Sequence, residues 1–548
     1  MELPRPLRGL VATLIFTVLF GVGCGAATSS ETTPPAKKKV EPPKESAADR
    51  TANELFAGQI PKIRIDIPKE EMQSLRNDRK KSVKATVSEG SNTWKNVAIH
   101  VKGAAGSTRS IDDKPALTLN MDKFVKGQSF HGLDKFHLNN SVQDPSFMCE
   151  ILCGDLYRRA GVPTARATHA RVWLNGRDLG LFVLKEGYDK KWLERNFKSD
   201  KGNLYDGGFL TDIDGNIEMS SGLSPTNRSD LKALIAAANS PMSNRLERLS
   251  KILDLESFTT FCVLQVLTSD WDGYAAKPNN YRLYHDPKTG KFTFIPHGMD
   301  QMFWDSNYPI TPGFNGMVAR QTFAIPEMHA RYVDQFQQIA EKVFVMERVT
   351  NHVAQLEARI RSSLEEFDKN WARDFPNNSR DIRDKVLNRS RSIHQQLASL
   401  PKPLRFDAWG AAVVSGWQPR QESGNTRLDA VTTPDGRKAF QVVAAGPGSA
   451  GSWRTRLNLP AGRYALEGRA KAKDVEAVKS EKGEGAGLRI GGNVQPRANK
   501  LSGSSDWTAL SYDFSLANGG EVELVAELRA NKGTVWFDPE SLKLVKRP

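Results

Sequence analysis

Cysteine is scarce here, with four residues in 548. Cys24 stands near the N-terminus, and the other three, Cys149, Cys153 and Cys262, cannot close a disulfide framework among themselves. Cys149 and Cys153 are four apart on a predicted helix, and no His or second Cys pair follows at zinc spacing, so no structural zinc is expected. Long apolar runs are missing too. The run Leu10–Phe20 is too short to span a bilayer comfortably. The G-x-S-x-G elbow and the H-E-x-x-H helix are absent, which removes the usual nucleophilic and zinc-dependent hydrolases. No dense Arg-Lys tract accompanies the net charge of +14, so no nucleic-acid partner is expected. Hydrophobic content of 39% and eleven Trp allow a sizeable core, and the length suits two or three domains.

The first residues read as a targeting segment. Arg5 and Arg8 precede the apolar run, and Gly21-Val22-Gly23-Cys24 places small residues before a Cys. This predicts a lipoprotein-type signal over 1–23, with Cys24 lipidated and the mature chain tethered to a membrane in the periplasm or at the cell surface. Ordinary secretion with cleavage nearby stays open. Residues 24–55, rich in Pro, Lys, Glu and Ser, have the composition of a disordered linker.

The informative stretch is Asp270–Phe303. Tyr281–Tyr284 and Lys291–Ile295 read as two strands joined by Asp286-Pro287-Lys288-Thr289-Gly290, a turn with Pro to preset φ and Gly free to take φ > 0. A hairpin brings its ends together, so Asp272 and Asn280 before it can approach Asp300 after it. Two carboxylates and an amide offer oxygen ligands to a hard cation such as Mg²⁺, which shares its shell with substrate phosphates. Protein kinases show the same order: an acid, a metal-binding Asn, a hairpin and a second metal-binding acid. The plainer reading makes these residues turn caps and surface charges.

Earlier in the chain, Lys102-Gly103-Ala104-Ala105-Gly106-Ser107-Thr108 is a small-residue turn open to an anion, without the P-loop ending. Lys114 opens the predicted strand Ala116–Met121. Glu150 lies early in a predicted helix, Ser146–Gly161, either facing solvent or pairing with Lys114 in a kinase-type Lys–Glu pair. Ala170–Leu174, Asn175-Gly176 and Leu179–Leu184 form a hairpin that ends at Glu186. At that exit Glu186 either contacts an adenine amine or makes a surface ion pair. Leu246–Thr268 reads as one helix, and Val333–Leu400 as helical with a break near Pro376. From Leu404 short strands alternate with Gly and Pro turns, which predicts a β-sandwich over 404–548. Its Trp417, Trp453, Trp507 and Trp536 are either core or sugar-stacking residues.

Several stretches together resemble the CotH kinase family of spore-coat and secreted atypical kinases. They are KGAAGST with Lys114, FHGLDKFHLNNSVQDPSFMCEILCGDLYRRAGVP, VWLNGRDLGLFVLKEGYD, NLYDGG, DWDGYAAKPNNYRLY and FIPHGMDQMF. The resemblance implies an α+β fold: a divergent protein-kinase-like domain over 56–403, followed by an all-β, jelly-roll-like sandwich outside the match. It implies transfer of the ATP γ-phosphoryl group to Ser or Thr hydroxyls of a protein, with Mg²⁺ or Mn²⁺. By matching motif, the resemblance makes Asp272 the catalytic Asp, Asn280 and Asp300 metal holders, Lys114 a phosphate contact paired with Glu150, Glu186 a neighbour of adenine and Ser107 a neighbour of the phosphates. Two departures stand out. Pro296-His297-Gly298-Met299-Asp300 keeps only the last acid of a Trp-Asp-x-Asp pattern, and Lys102 stands where an Arg is common.

Two other classes of function remain open from sequence. One is a catalytically inactive surface protein using a kinase-like scaffold and a sugar- or protein-binding sandwich. The other is a metal-dependent hydrolase using the same acids, with His297 as a candidate for activating water.

Overall fold

The computed structural model describes residues 46–547 apart from 105, 223–226, 367, 401–403, 405, 408, 479–483, 493–498 and 517–519. The predicted signal segment 1–23, Cys24 and most of the predicted linker lie outside the described residues. The end of that linker is ordered, contrary to its predicted disorder. Helix α1 (Ala47–Ala57) buries Ala52 and Leu55, and Asn53 bonds the Arg166 guanidinium. Two well-placed apolar residues and a polar anchor outweigh the linker-like composition around them.

The chain then forms β1 (Lys62–Asp66), α2 (Lys69–Asn77), β2 (Val83–Glu89), β3 (Asn92–Lys102), β4 (Ala116–Asn120), β5 (Lys135–Asn139), α3 (Cys149–Arg159), β6 (Ala167–Leu174) and β7 (Arg177–Glu186). The seven strands close into a barrel in the order β1-β2-β3-β4-β5-β7-β6, with β1 parallel to β6. Strand alternation sets its two faces. Val101, Leu117, Leu138 and Leu184 fill the barrel, so their neighbours Lys102, Ala116, Asn139, Val183 and Lys185 face outward. Register pairs Lys102 with Ala116, Leu117 with Leu138, and Asn139 with Val183, which lines these outward residues up across the sheet.

Next come α4 (Lys190–Phe197), β8 (Asn203–Asp206), β9 (Glu218–Ser221), α5 (Ser229–Ala238), α6 (Met242–Ile252), α7 (Leu255–Leu267), β10 (Tyr281–Asp286), β11 (Lys291–Pro296), α8 (Met317–Phe323), α9 (Pro326–Lys342), α10 (Met346–Glu365) and α11 (Lys369–Ser399). The predicted hairpin is present as β10–β11, in a four-stranded sheet ordered β11-β10-β8-β9. Its Phe292 and Phe294 pack with the helices in one large core. The single helix predicted over Leu246–Thr268 is two. Asp254 ends the first and caps the second, accepting from the Ser257 N–H at 3.1 Å. The break predicted at Pro376 does not occur. The buried face of Phe375, Ser379, Ile382 and Val386 carries α11 through it, despite the lost N–H.

Ten strands follow: β12 (Ala411–Val413), β13 (Gln418–Ser423), β14 (Thr426–Thr432), β15 (Lys438–Ala444), β16 (Ser449–Leu459), β17 (Gly462–Ala477), β18 (Gly485–Ile490), β19 (Gly503–Leu516), β20 (Gly520–Phe537) and β21 (Lys543–Arg547). Strand β20 pairs with β16 along Gly520–Ala530 and with β15 along Gly533–Phe537, so one long strand serves two sets of neighbours. Trp417 and Trp453 are buried in the core between the strands, which removes them as sugar platforms. Trp507 and Trp536 stay half-buried. The predicted classes are present: mixed helices and strands first, then strands alone.

Candidate active site

A cavity of about 320 Å³ lies where the outward face of the barrel meets the ends of the β10–β11 hairpin. Its lining includes Ser107, Glu150, Asp272, Asn280 and Asp300 from the sequence-derived set. Lys114 and Glu186 do not line it. A second cavity of about 210 Å³ shares Gln143, Asp144, Asp300 and Gln301 with the first.

The three metal-type residues converge as the hairpin requires. Helix α7 ends at Leu267 and the chain turns through Asp270–Asp272. Asp270 is buried behind the turn, where Gln265 donates to its carboxylate at 3.3 Å. Burial and the nearby Asp272 push its pKa up to about 8. Asp272 is the acid that reaches the cavity. Asn280 donates its amide N–H to the Asp272 carboxylate at 3.0 Å and to its carbonyl at 3.2 Å. The Asn280 side-chain oxygen lies against Gly298, which has φ +62°; a Cβ there would stand 2.5 Å from that oxygen. Glycine is therefore required two residues before Asp300. Asp300 makes no ion pair among the described residues, and burial together with Glu150 pushes its pKa up to about 7.

The barrel side supplies cations. Lys185 forms an ion pair with Glu150 Oε1, the two side chains being 1% and 4% exposed. Burial opposes the charge on Lys185, but Glu150 outweighs it and raises the pKa. The second Glu150 oxygen, Oε2, is buried with no hydrogen-bond partner. Lys102 also lines the cavity and donates to Asn139 Oδ1 at 2.7 Å. Burial, then Lys185, lowers the Lys102 pKa to about 8. Asp144 accepts from the backbone N–H groups of Ser146 and Cys149 at 3.0 and 2.9 Å, holding the entry to α3 and so the position of Glu150.

Two predicted positions are corrected. Lys114 does not pair with Glu150. Its ammonium lies 5.1, 5.0 and 6.0 Å from the rings of Phe147, Phe182 and Trp371, outside the cavity. Glu186 is not open to a base. Its carboxylate accepts from Arg166 and Arg195, with four guanidinium contacts of 2.7 to 3.2 Å. Strand alternation is the reason for Glu186, since β7 sends Lys185 to the cavity face and Glu186 to the other, while Lys114 lies in the loop before β4, off the strands that line the cavity. Ser107 does line the cavity, but its hydroxyl is turned to the Ala104 backbone at 3.2 Å.

Sequence reasoning missed Lys185 as the partner of Glu150, although a Lys directly continuing the apolar run Leu179–Leu184 was a visible signal. It also missed Arg389. That fully buried guanidinium donates to the carbonyls of Leu267 and Val266 at 2.9 and 2.8 Å and to those of Ser306 and Tyr308 at 3.1 and 2.5 Å. It ties the end of α7 to the segment after Asp300.

A Lys–Glu pair facing two acids and an Asn across a cleft is a kinase-like set of residues. The chain belongs to the CotH kinase protein family, whose profile matches residues 99–393, more than half its length. It is 24% identical over 305 residues to the inner spore coat protein H of Bacillus subtilis, covering 50% of this chain and 82% of that one. It is 28% identical over 188 residues to the invasin CotH3 of Rhizopus delemar, covering 31% of each. The chain thus spans under a third of the invasin. Among solved structures, the Helicobacter pylori proinflammatory kinase CtkA overlays 55% of this chain and 98% of its own at 9% identity and a TM-score of 0.25. The carbohydrate-binding module TmCBM61, solved with β-1,4-galactotriose, overlays 24% of this chain and 90% of its own at 12% identity and a TM-score of 0.18.

Proposed function

We propose that this protein is an exported, surface-tethered kinase that transfers the γ-phosphoryl group of ATP to Ser or Thr hydroxyls of a protein. The observation that carries the reading is the convergence of Asp272, Asn280 and Asp300 with the Lys185–Glu150 pair on one cavity. Phosphoryl transfer asks mainly for positioning and charge neutralisation. Asp272 orients the acceptor hydroxyl and takes its proton. Lys185 and Lys102 face the phosphate charge, with Glu150 fixing Lys185.

The donor set fits a hard cation. Among the described residues no three His, Cys, Asp or Glu side chains cluster to enclose a metal. The cavity offers instead two carboxylates and one amide oxygen, with Asp300 in no ion pair among the described residues, as suits a cation that shares its shell with phosphates. Asn280 and Asp300 would hold Mg²⁺ or Mn²⁺, which would neutralise charge on the transferring group. His297 does not suit the hydrolase reading. Burial and the cations around it push its pKa far down, which leaves the ring a weak base for activating water.

The remaining assignments rest on sequence and on the names of the relatives. A lipid on Cys24 holds the chain at a membrane, with the kinase-like domain over 56–403 and a jelly-roll-like sandwich over 404–548. Spore-coat and invasin relatives support a surface location. The sandwich takes a polysaccharide or another surface ligand, with the exposed Trp409 and the half-buried Trp507 and Trp536 as the remaining ring platforms.

The test is intact mass after incubation of the protein with ATP and Mg²⁺ or Mn²⁺, with and without a generic acceptor protein. Added phosphate is expected for the wild type, and Asp272→Ala is expected to lower transfer by about a thousandfold, the scale of a general base. Equal transfer by Asp272→Ala would remove the assigned role. No transfer and no nucleotide binding would leave the inactive surface-protein reading.

A further inference from the structure

The cavity is built for charge and offers little to a flat ring. Its side chains include Lys102, Lys185, Glu150, Asp272, Asn280 and Asp300. On the barrel wall only Ala116 and Val183 are apolar. The next row along the sheet is closed by a buried polar pair, Thr118 Oγ1 and His137 Nδ1 at 2.9 Å. At about 320 Å³ the cavity is at the small end for ligand sites, which run from about 300 to 1,000 Å³. Phosphates and a cation match its polar interior, so a base attached to them extends to the rim.

One side chain waits there. Phe209 is the only Phe, Tyr or Trp among the described lining residues. It is 56% exposed and its neighbour Leu210 is 50% exposed, an unusual pair of large apolar residues open to water. Their loop is anchored on both sides. Asp206 pairs with Arg282 at 2.7 Å, and the Leu210 N–H donates to Asn279 Oδ1 at 3.3 Å, beside Asn280. An exposed ring on a pinned loop at the mouth of a polar cavity is placed to stack on a planar group.

We propose that Phe209 is the stacking platform for the base of the nucleotide donor, and that the site accepts adenine and guanine nucleotides with little preference. The proposal rests on the nucleotide-binding reading above. Stacking uses the ring face, which every base presents, and reads no hydrogen-bonding edge. The competing placement puts the base deep against His297, whose unpartnered Nδ1 would read an edge and so favour one base.

The test is calorimetric titration of the full-length protein with Mg–ATP, Mg–GTP and Mg–tripolyphosphate, for the wild type, Phe209→Ala and Phe209→Trp. ATP and GTP are expected to bind the wild type within threefold of each other, roughly the tolerance of face stacking. Phe209→Ala is expected to weaken both by about tenfold, the scale of one lost base–aromatic stack, with tripolyphosphate unchanged and Phe209→Trp restoring both nucleotides. A preference for ATP above about tenfold would overturn the proposal in favour of edge reading at His297. Equal weakening of tripolyphosphate and ATP by Phe209→Ala would also overturn it. If nucleotides bind the wild type and Phe209→Ala leaves them untouched, the stacking role falls and the nucleotide reading stands. If none of the three probes binds the wild type, both fall.

Discussion

Lys185 and Glu186 are neighbours on β7, and the regions on either side of that strand treat a buried acid in opposite ways. On the cavity side, Glu150 has one oxygen on Lys185 and the other, buried, on nothing. On the far side, Glu186 is gripped by Arg166 and Arg195, and Arg166 in turn lies 4.8 Å from the ring of Phe56 in α1. Burial alone raises the pKa of Glu186, yet the two arginines outweigh it and hold the carboxyl below its usual range. An acid with spare acceptor capacity belongs to a site that awaits a ligand. An acid with every oxygen satisfied belongs to the scaffold.

That contrast is open to breaking. Glu150→Gln strands the Lys185 ammonium at 1% exposure, so a loss of about 3–5 kcal/mol is expected in urea unfolding, together with loss of phosphoryl transfer. Adding Lys185→Met is expected to recover much of the stability and none of the transfer; recovery of both would place the pair in the scaffold. Glu186→Gln leaves two arginines that are 13% and 24% exposed and reach water more easily. A loss of about 2 kcal/mol is expected, with kcat kept in the surviving fold. A fall in kcat at unchanged melting temperature would move Glu186 into the site.

The sandwich holds a second acid of the saturated kind. Burial acts against the charge on Glu422, but Arg454 and Arg529 overcome it and lower its pKa to about 2. A depressed folded pKa gives stability that is full above the ordinary carboxylate value and is lost as pH falls toward 2. Acid titration of thermal unfolding is expected to show a drop between about pH 4.5 and 2. Glu422→Gln is expected to flatten that drop, and a persistent slope would assign it to other groups. The smallest effect is expected from Lys114→Met. Removal of its ring contacts costs about 1 kcal/mol or less, and nucleotide affinity stays unchanged. A tenfold loss of affinity would return Lys114 to the phosphates.

Much of this architecture was legible from local pattern. Asp286–Gly290 specified its turn, the turn specified the hairpin, and the hairpin brought Asp272, Asn280 and Asp300 to one place. What pattern could not resolve was which lysine meets Glu150. Lys185 lies on β7 and Lys114 in the loop before β4, and the choice depends on how the strands are brought together, a long-range property. Helix ends showed the same limit. Asp254 splits two helices whose apolar residues run on without a gap, while the buried face of α11 overrides Pro376.

Arg389 has a consequence for the order of events during synthesis. Four carbonyls, two at the end of α7 and two after Asp300, find their donor in one residue in the second half of α11. A chain made N-terminus first carries Asp272, Asn280 and Asp300 well before that donor exists. The growing polypeptide therefore lacks the donor that ties the two sides of its cleft together until α11 has emerged, so the cleft is completed late in translation.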